Sequence, residues 1–299
     1  MRVVGFSFIK NAVALDYPIV EAMESILPIC DEFVIMVGNS DDETLTLIEN
    51  LAQKSDKIKI YHSVWDDSLR KGGRVLAVET DKAYAKILEN DKQNGTKTDW
   101  AFYIQGDEVV HEKYLATIKE EMERYKNDEK VEGLLLNYLH FYGSYDYVGD
   151  SRKWYRREIR VIKARKDIFS FRDAQGFRKK PNTILKVKHI NAYVYHYGWV
   201  RPPQKQLAKQ KSFNTLYKDK EWVDNKFGAM ETFDYSGIDS LKKFEGTHPK
   251  VVQERIKRMN WTFEHDISKK NYTPRVRFLT WVEKLTGWRI GEYRNYKRI

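Results

Sequence analysis

The run Trp100-Ala101-Phe102-Tyr103-Ile104 stops at Gln105-Gly106-Asp107-Glu108, a glycine followed by two adjacent carboxylates. Unbroken apolar character predicts a strand buried on both faces, of the kind found in parallel sheets covered by helices. The end of such a strand presents acidic side chains at the mouth of a cleft. A hard divalent cation takes oxygen ligands, keeps some of its waters and lets a phosphate complete its shell, so one or two carboxylates suffice to hold it. A solvated turn closing a core strand has the same local appearance. The flanking chain has to separate the two.

Upstream, residues 3–9 form a compact apolar run that predicts a central strand, ending in the polar pair Lys10-Asn11. Pro18 then opens a pattern in which Ile19, Ala22, Met23, Ile26 and Leu27 recur at helical spacing until Pro28 ends it, and residues 33–37 predict a second strand. Strand, helix and strand in this order predict a parallel pair with a right-handed crossover. The second strand leads into Gly38-Asn39-Ser40-Asp41-Asp42-Glu43-Thr44 and a helix over 43–54. One of these polar residues caps the helix, but two adjacent carboxylates exceed what a cap needs. Strand carboxyl ends line the ligand crevice in doubly wound sheets, which aims Asp41 or Asp42 at a nucleotide base or ribose. A third strand is predicted over 58–62. Gly72-Gly73, flanked by Arg70, Lys71 and Arg74, opens a third helix reaching about residue 90. Backbone N–H groups, helix dipole and side-chain charge there would all favour a diphosphate, although basic glycine loops are also common at surfaces.

Downstream, an amphipathic helix is predicted over 112–125 and a strand rich in Leu and Tyr over 133–142. His140, Tyr142, Tyr145 and Tyr147 suit either sugar stacking or a core. A basic strand over 154–164 puts Glu158, Arg160 and Ile162 on one face, where Glu158 can pair with the arginines. A long strand over 186–197 carries Ile190, Ala192, Val194 and His196 on one face, and His196 meets a glycine turn. A basic helix over 204–220 follows, with Lys205, Lys209 and Lys211. Pattern is weaker beyond 221, with an aromatic loop expected over 227–235, a helix after His248-Pro249 through Met259 and a last amphipathic helix over 276–285. The tail from 289 sets Arg289, Arg294, Lys297 and Arg298 beside Trp288, Tyr293 and Tyr296, which suits an anionic membrane face or simple packing on the domain.

The 299 residues carry a formal charge of +10, with 14% aromatics, so anions are the expected partners. The single cysteine, Cys30, excludes an internal disulfide and a thiol-bound metal cluster. No secretion signal and no apolar run of the ~20 residues that span a bilayer is present, so the chain reads as a soluble, cytoplasmic protein. No Gly-x-Gly-x-x-Gly follows the first strand and no Gly-Lys-Ser/Thr phosphate loop occurs, which disfavours dinucleotide oxidoreductases and nucleoside triphosphatases. No fixed-period repeat is found.

Taken in order, Phe6-Ser7-Phe8-Ile9-Lys10-Asn11, Val37 through Asp41-Asp42, Gly72-Gly73-Arg74 and Gln105-Gly106-Asp107-Glu108 resemble the nucleotide-sugar-binding half of family 2 glycosyltransferases of the bacterial type. The resemblance implies a GT-A fold: a Rossmann-like α/β/α sandwich around a mostly parallel sheet over residues 1–200, with a helical basic extension over 201–299. It implies an inverting sugar transfer to an acceptor hydroxyl, in the synthesis of cell-surface glycans, with a glycan or lipid-linked acceptor and a divalent metal, Mn²⁺ or Mg²⁺. The donor would meet Asn11, Asp41, Asp42, Lys71, Arg74, Gln105, Lys205 and Lys209. Because Gln105 stands where the family's Asp-x-Asp pattern has its first aspartate, Asp107 becomes the metal ligand, Glu108 its alternative, and His196 the third ligand. The base that takes the acceptor's proton must lie past the metal, which leaves Asp173 in Phe171-Arg172-Asp173-Ala174-Gln175-Gly176-Phe177, or Glu158. A basic nucleic-acid-binding protein and a non-catalytic scaffold are the alternatives. Basic residues spread along the chain, together with carboxylates at strand ends, speak against nucleic acid.

Overall fold

The computed structural model describes residues 1–69 and 71–299. Four parallel strands form one half of its sheet: β1 (Val3–Ile9), β2 (Glu32–Gly38), β3 (Ile58–Ser63) and β4 (Trp100–Tyr103), in the order β3-β2-β1-β4. The apolar runs of β1, β2 and β4 are buried almost throughout, because helices cover both faces. On one face lie α1 (Ile19–Ile26), α2 (Thr44–Ala52) and α4 (Leu115–Tyr125), packing Ile19, Met23, Ile48, Leu51, Ile118 and Met122 against Phe33, Ile35 and Phe102. On the other lies α3 (Arg74–Asn94), whose Ala83, Tyr84 and Ile87 meet Val4, Phe6, Val34 and Tyr103. Strand order reverses between β1 and β4, and the carboxyl ends of that pair open the crevice where α/β sheets bind ligands.

Beyond β4 the sheet becomes mixed. β6 (Gly133–Tyr142) and β8 (Arg157–Lys163) run antiparallel to each other, and β8 runs antiparallel to β4. The 17-residue β11 (Thr183–Trp199) is parallel to β6, with register shifts between His189 and Tyr193 and between His196 and Trp199. The mostly parallel sheet expected from sequence is thus all-parallel only in its β3-β2-β1-β4 half; β8 pairs antiparallel on both sides, and parallel pairing returns between β6 and β11.

Several short elements carry no period of their own. β5 (Glu108–Val110) pairs with the end of β11, setting Glu108 opposite His196. β9 (Ile168–Phe171) and β10 (Gly176–Lys179) make a hairpin where a loop was expected. β7 (Tyr147–Gly149) pairs with β12 (Leu241–Lys243), and β13 (Tyr296–Arg298) adds to β11, so strands as well as helices occur after residue 201. The single helix expected over 204–220 is two: α5 (Pro203–Asn214) and α6 (Lys220–Phe227). The chain continues through α7 (Gln253–Lys257) to α8 (Pro274–Thr286). No helix of the described residues is long and apolar enough to cross a membrane.

Candidate active site

The acidic turn is positioned by two pairings at once. Ile104 still donates to Phe6 O beside β1, and three residues later the chain pairs with β11, where Tyr197 N donates to Asp107 O (2.8 Å). Residues 105–107 therefore bridge from the carboxyl end of β4 to that of β11. This crossing brings the Asp107 carboxylate to His196 and Lys209, 89 and 102 residues away along the chain.

Lys209 Nζ, on α5, donates to Asp107 Oδ2 and to Gly198 O, both at 2.8 Å. Burial alone would raise the Asp107 carboxyl, but Lys209, His196 and Arg201 outweigh it and hold it well below the usual carboxylate range. Burial and the neighbouring Arg201 pull Lys209 down to about 8 against Asp107. Both partners are charged at neutral pH, and Lys209 is the one that yields as pH rises. Arg201 is fully buried over the Tyr17 ring and donates to Leu15 O (2.6 Å). Its Nε and Nη2 have no partner among the described residues, nor do the amide atoms of buried Gln206.

The two histidines fix each other's tautomers. His140 Nε2 lies 2.8 Å from Tyr155 O, which can only accept, so this nitrogen carries the proton. Burial pushes both imidazoles below their ordinary value, leaving His140 Nδ1 as an acceptor and His196 Nδ1, 3.1 Å away, as its donor. The His196 Nε2 lone pair then faces Asp107 Oδ1 at 3.7 Å. Two acceptors aimed at one gap form a donor set that fits a divalent cation. Among the described residues no third His, Cys, Asp or Glu completes it.

Glu108, the alternative ligand by sequence, turns the other way. It is fully buried, and both its oxygens accept from Arg160 (2.7 and 2.8 Å); Tyr138 Oη and Gln105 N also donate to it. No oxygen is left for a metal, and the residue serves as a core anchor for the turn.

Asp173 sits at the tip of the β9–β10 hairpin between Arg172 (φ 57°) and Ala174 (φ 62°), two non-glycine residues in the left-handed region. Each such residue costs on the order of 1 kcal/mol and persists only where its surroundings dictate it. Gln105 Nε2 donates to Ala174 O (3.1 Å), Arg160 to Gln175 O (3.0 Å) and Tyr217 Oη to Asp173 Oδ2 (2.8 Å). Gln105 therefore links the acidic turn to the Asp173 loop. Gly73 (φ 67°), at the start of α3, lies so close that a Cβ there would stand 2.5 Å from Tyr217 Oη.

The second candidate base, Glu158, lies in the core behind this loop. Gln175 Nε2 donates to its Oε1 (2.9 Å), and Oε2 is buried without a partner among the described residues. Burial first, with Glu108 and Asp173 adding, raises its pKa from 4.5 to about 8 despite Arg160 and Gln175. A carboxyl raised in the fold stabilises it most fully below its unfolded value of 4.5, and that contribution is lost as pH climbs through 8. Glu158→Gln stays neutral at every pH. The variant is expected to match the parent at about pH 4 and to exceed it by at least about 2 kcal/mol at about pH 9; urea unfolding at the two pH values measures this.

Other sequence candidates line the crevice less directly. Asn11 (φ 53°) ends β1, receives Asp41 N on its Oδ1 (3.1 Å) and donates its own N–H to Ser40 Oγ (3.0 Å). Asp42 accepts from Ala14 N and Thr44 N, tying the loop after β1 to the start of α2, while Asp41 is exposed. These residues stand beside a cavity of about 350 Å³ lined by Gly38, Asn39, Ser40, Leu45 and Ser63. Arg74 is exposed at the start of α3, and the Lys71 side chain lies outside the described residues. Lys205 donates to Ala14 O (3.0 Å) and does not join Lys209 at Asp107. Tyr142, Tyr145 and Tyr147 are buried core.

Sequence reasoning missed Tyr17, Arg201, Gln206 and Tyr217 as site residues. Arg201-Pro202-Pro203 directly after a strand carrying His196 was the one available signal.

No protein-family model matches the chain. No curated protein matches it. Among solved structures it is similar to S. aureus TarS, with 14% identity over 77% of this chain and 43% of that one (TM-score 0.38). It is also similar to glucosyl-3-phosphoglycerate synthase from Mycobacterium tuberculosis in complex with Mn²⁺ and UDP-glucose, with 16% identity over 47% of this chain and 44% of that one (TM-score 0.28). The chain thus spans less than half the length of either protein.

Proposed function

We propose that this chain is a glycosyltransferase that moves a sugar from a nucleotide-sugar donor to an acceptor hydroxyl, with inversion, in the synthesis of a cell-surface glycan. The observation that carries this reading is the convergence of Asp107, His196, Lys209 and the Asp173 loop at the carboxyl end of β4, beside the strand-order reversal. The cavity at the ends of β2 and β3 suits the nucleoside, and the diphosphate would then reach Lys209 and the unpartnered N–H groups of Arg201.

In the reaction the acceptor oxygen attacks the anomeric carbon, its proton passes to Asp173, and the bond to the diphosphate breaks with its electrons on the leaving nucleotide. Tyr217 orients Asp173 for this role. Lys209 and Arg201, both buried, would oppose the charge that develops on the leaving group. Asp107 Oδ1 and His196 Nε2 would hold a divalent metal, which when bound supplies further charge stabilisation at the diphosphate. Two protein ligands leave most of the shell to waters and phosphates, so the metal would be shared with the nucleotide. Accordingly, Mn²⁺ titrated alone should bind weakly, and UDP should tighten it by at least about tenfold, with the reciprocal effect of Mn²⁺ on UDP; paramagnetic relaxation or calorimetry reads both.

A thermal-shift screen of sugar nucleotides tests donor binding, since a ligand specific to the native state raises its stability. UDP-GlcNAc, bound in a structure of S. aureus TarS, and UDP-glucose, bound in one of the M. tuberculosis synthase, are the first probes. Asp173→Asn is expected to lower turnover by about 10²–10⁴-fold with donor binding unchanged. Near-normal turnover in that variant removes Asp173 as the base.

A further inference from the structure

Helix α8 is built the opposite way round from an ordinary surface helix, whose apolar stripe faces the core. Its polar side is the one fastened to the protein. Glu283 pairs with Arg152 and with Arg156 (3.3 Å), and just beyond the helix Glu292 pairs with Arg156 (2.8 Å) and Arg289 donates to Trp154 O (2.9 Å). The outward side carries Phe278, Trp281 and Leu285, spaced three and four residues apart and exposed by 60%, 58% and 66%. Trp288, 62% exposed, extends the stripe past the Gly287 cap, and no residue of the helix is buried. Exposed Arg275, Arg277 and Lys284 flank it. Residues 274–299 hold seven lysines and arginines against two glutamates, both of which are engaged in the anchoring pairs.

We propose that α8 lies in the surface of an anionic lipid bilayer, its aromatic stripe in the acyl boundary and its cations among the headgroups. A Trp-, Phe- and Leu-bearing face rimmed by Lys and Arg is the pattern of an in-plane interfacial helix, and Trp prefers that depth. Charge complementarity selects the lipid over a second copy of the chain. An isologous contact through this face would set the same cations against one another. The four side chains also expose only on the order of 500 Å², less than the ~800 Å² per partner of a stable interface. The helix carries this inference without the transfer reaction. If that reaction holds, the bilayer would face the acceptor side, because Trp154, on which Arg289 is fastened, stacks on His140 beside His196.

The full chain should co-sediment with phosphatidylcholine vesicles containing about a third phosphatidylglycerol and much less with phosphatidylcholine alone. Brominated acyl chains should quench its tryptophan fluorescence, and Trp281→Phe with Trp288→Phe should remove most of that quenching. Combined Phe278→Ser, Trp281→Ser and Leu285→Ser should weaken vesicle binding by about tenfold or more. Arg275→Gln, Arg277→Gln and Lys284→Gln together, which leave the apolar stripe itself unchanged, should weaken it and flatten its salt dependence. The proposal is overturned if the parent ignores anionic vesicles, or if binding survives both sets of changes. A dimer in solution that the serine variant converts to monomer also overturns it, in favour of a second copy. Donor turnover plays no part in these readouts, so loss of the transferase reading leaves them intact, and the reverse.

Discussion

Glu108→Gln is expected to destabilise the fold by about 3–5 kcal/mol, the usual cost of leaving one member of a buried ion pair without its partner. Arg160 is fully buried, and the pair is bidentate at 2.7 and 2.8 Å. Its guanidinium lies 5.3 Å from the ring centroids of Tyr103 and Tyr138, so no water reaches it to replace the lost charge. The glutamine keeps the shape and can still accept from Tyr138, which isolates the electrostatic loss. Replacing both partners, Glu108→Leu with Arg160→Met, should recover a large part of the stability, since neither charge then remains desolvated. Arg160 also donates to Gln175 O in the Asp173 loop. The double variant should therefore fold yet lose turnover, and denaturant unfolding alongside an activity assay distinguishes the two consequences.

Asp107→Asn is expected to lower nucleotide release by about 10²–10³-fold or more. Among the described residues the carboxylate is the only anion that Lys209 touches, and its other oxygen is half of the gap with His196 Nε2. An amide in its place leaves Lys209 buried without a counter-charge. That lysine already sits near 8, so in the variant its proton should be lost at or below neutral pH, removing a cation from the diphosphate side as well. Stability should fall by about 3–5 kcal/mol from the same broken pair. Lys209→Met in the Asp107→Asn background should restore part of the stability and none of the turnover.

The parallel half of the fold is legible because β1, β2 and β4 are continuous apolar runs and its first helix has a clean period between Pro18 and Pro28. β5 and the β9–β10 hairpin are three or four residues long, too short for a period, and exist because β11 offers them an edge. Adjacent carboxylates likewise look alike in sequence. Asp107 and Glu108 point opposite ways only because β5 pairs in a register that turns Glu108 inward onto Arg160. Lys209 was visible as one of several helical lysines, and its selection over Lys205 depends on which face α5 turns to Gly198. Asp42 read as a ligand-facing acid because a cap needs one carboxylate; the structure gives it a second task, holding Ala14 N. The outward face of α8 could be seen only once Glu283 was known to face the body.

The most direct test of the transferase reading is nucleotide release from a panel of sugar nucleotides with Mn²⁺, comparing the parent with Asp107→Asn and Asp173→Asn. The reading predicts turnover of at least one donor by the parent, loss in both variants, and donor binding retained by Asp173→Asn. Release that is equal in parent and Asp107→Asn, or a parent that binds and turns over no donor, would contradict it.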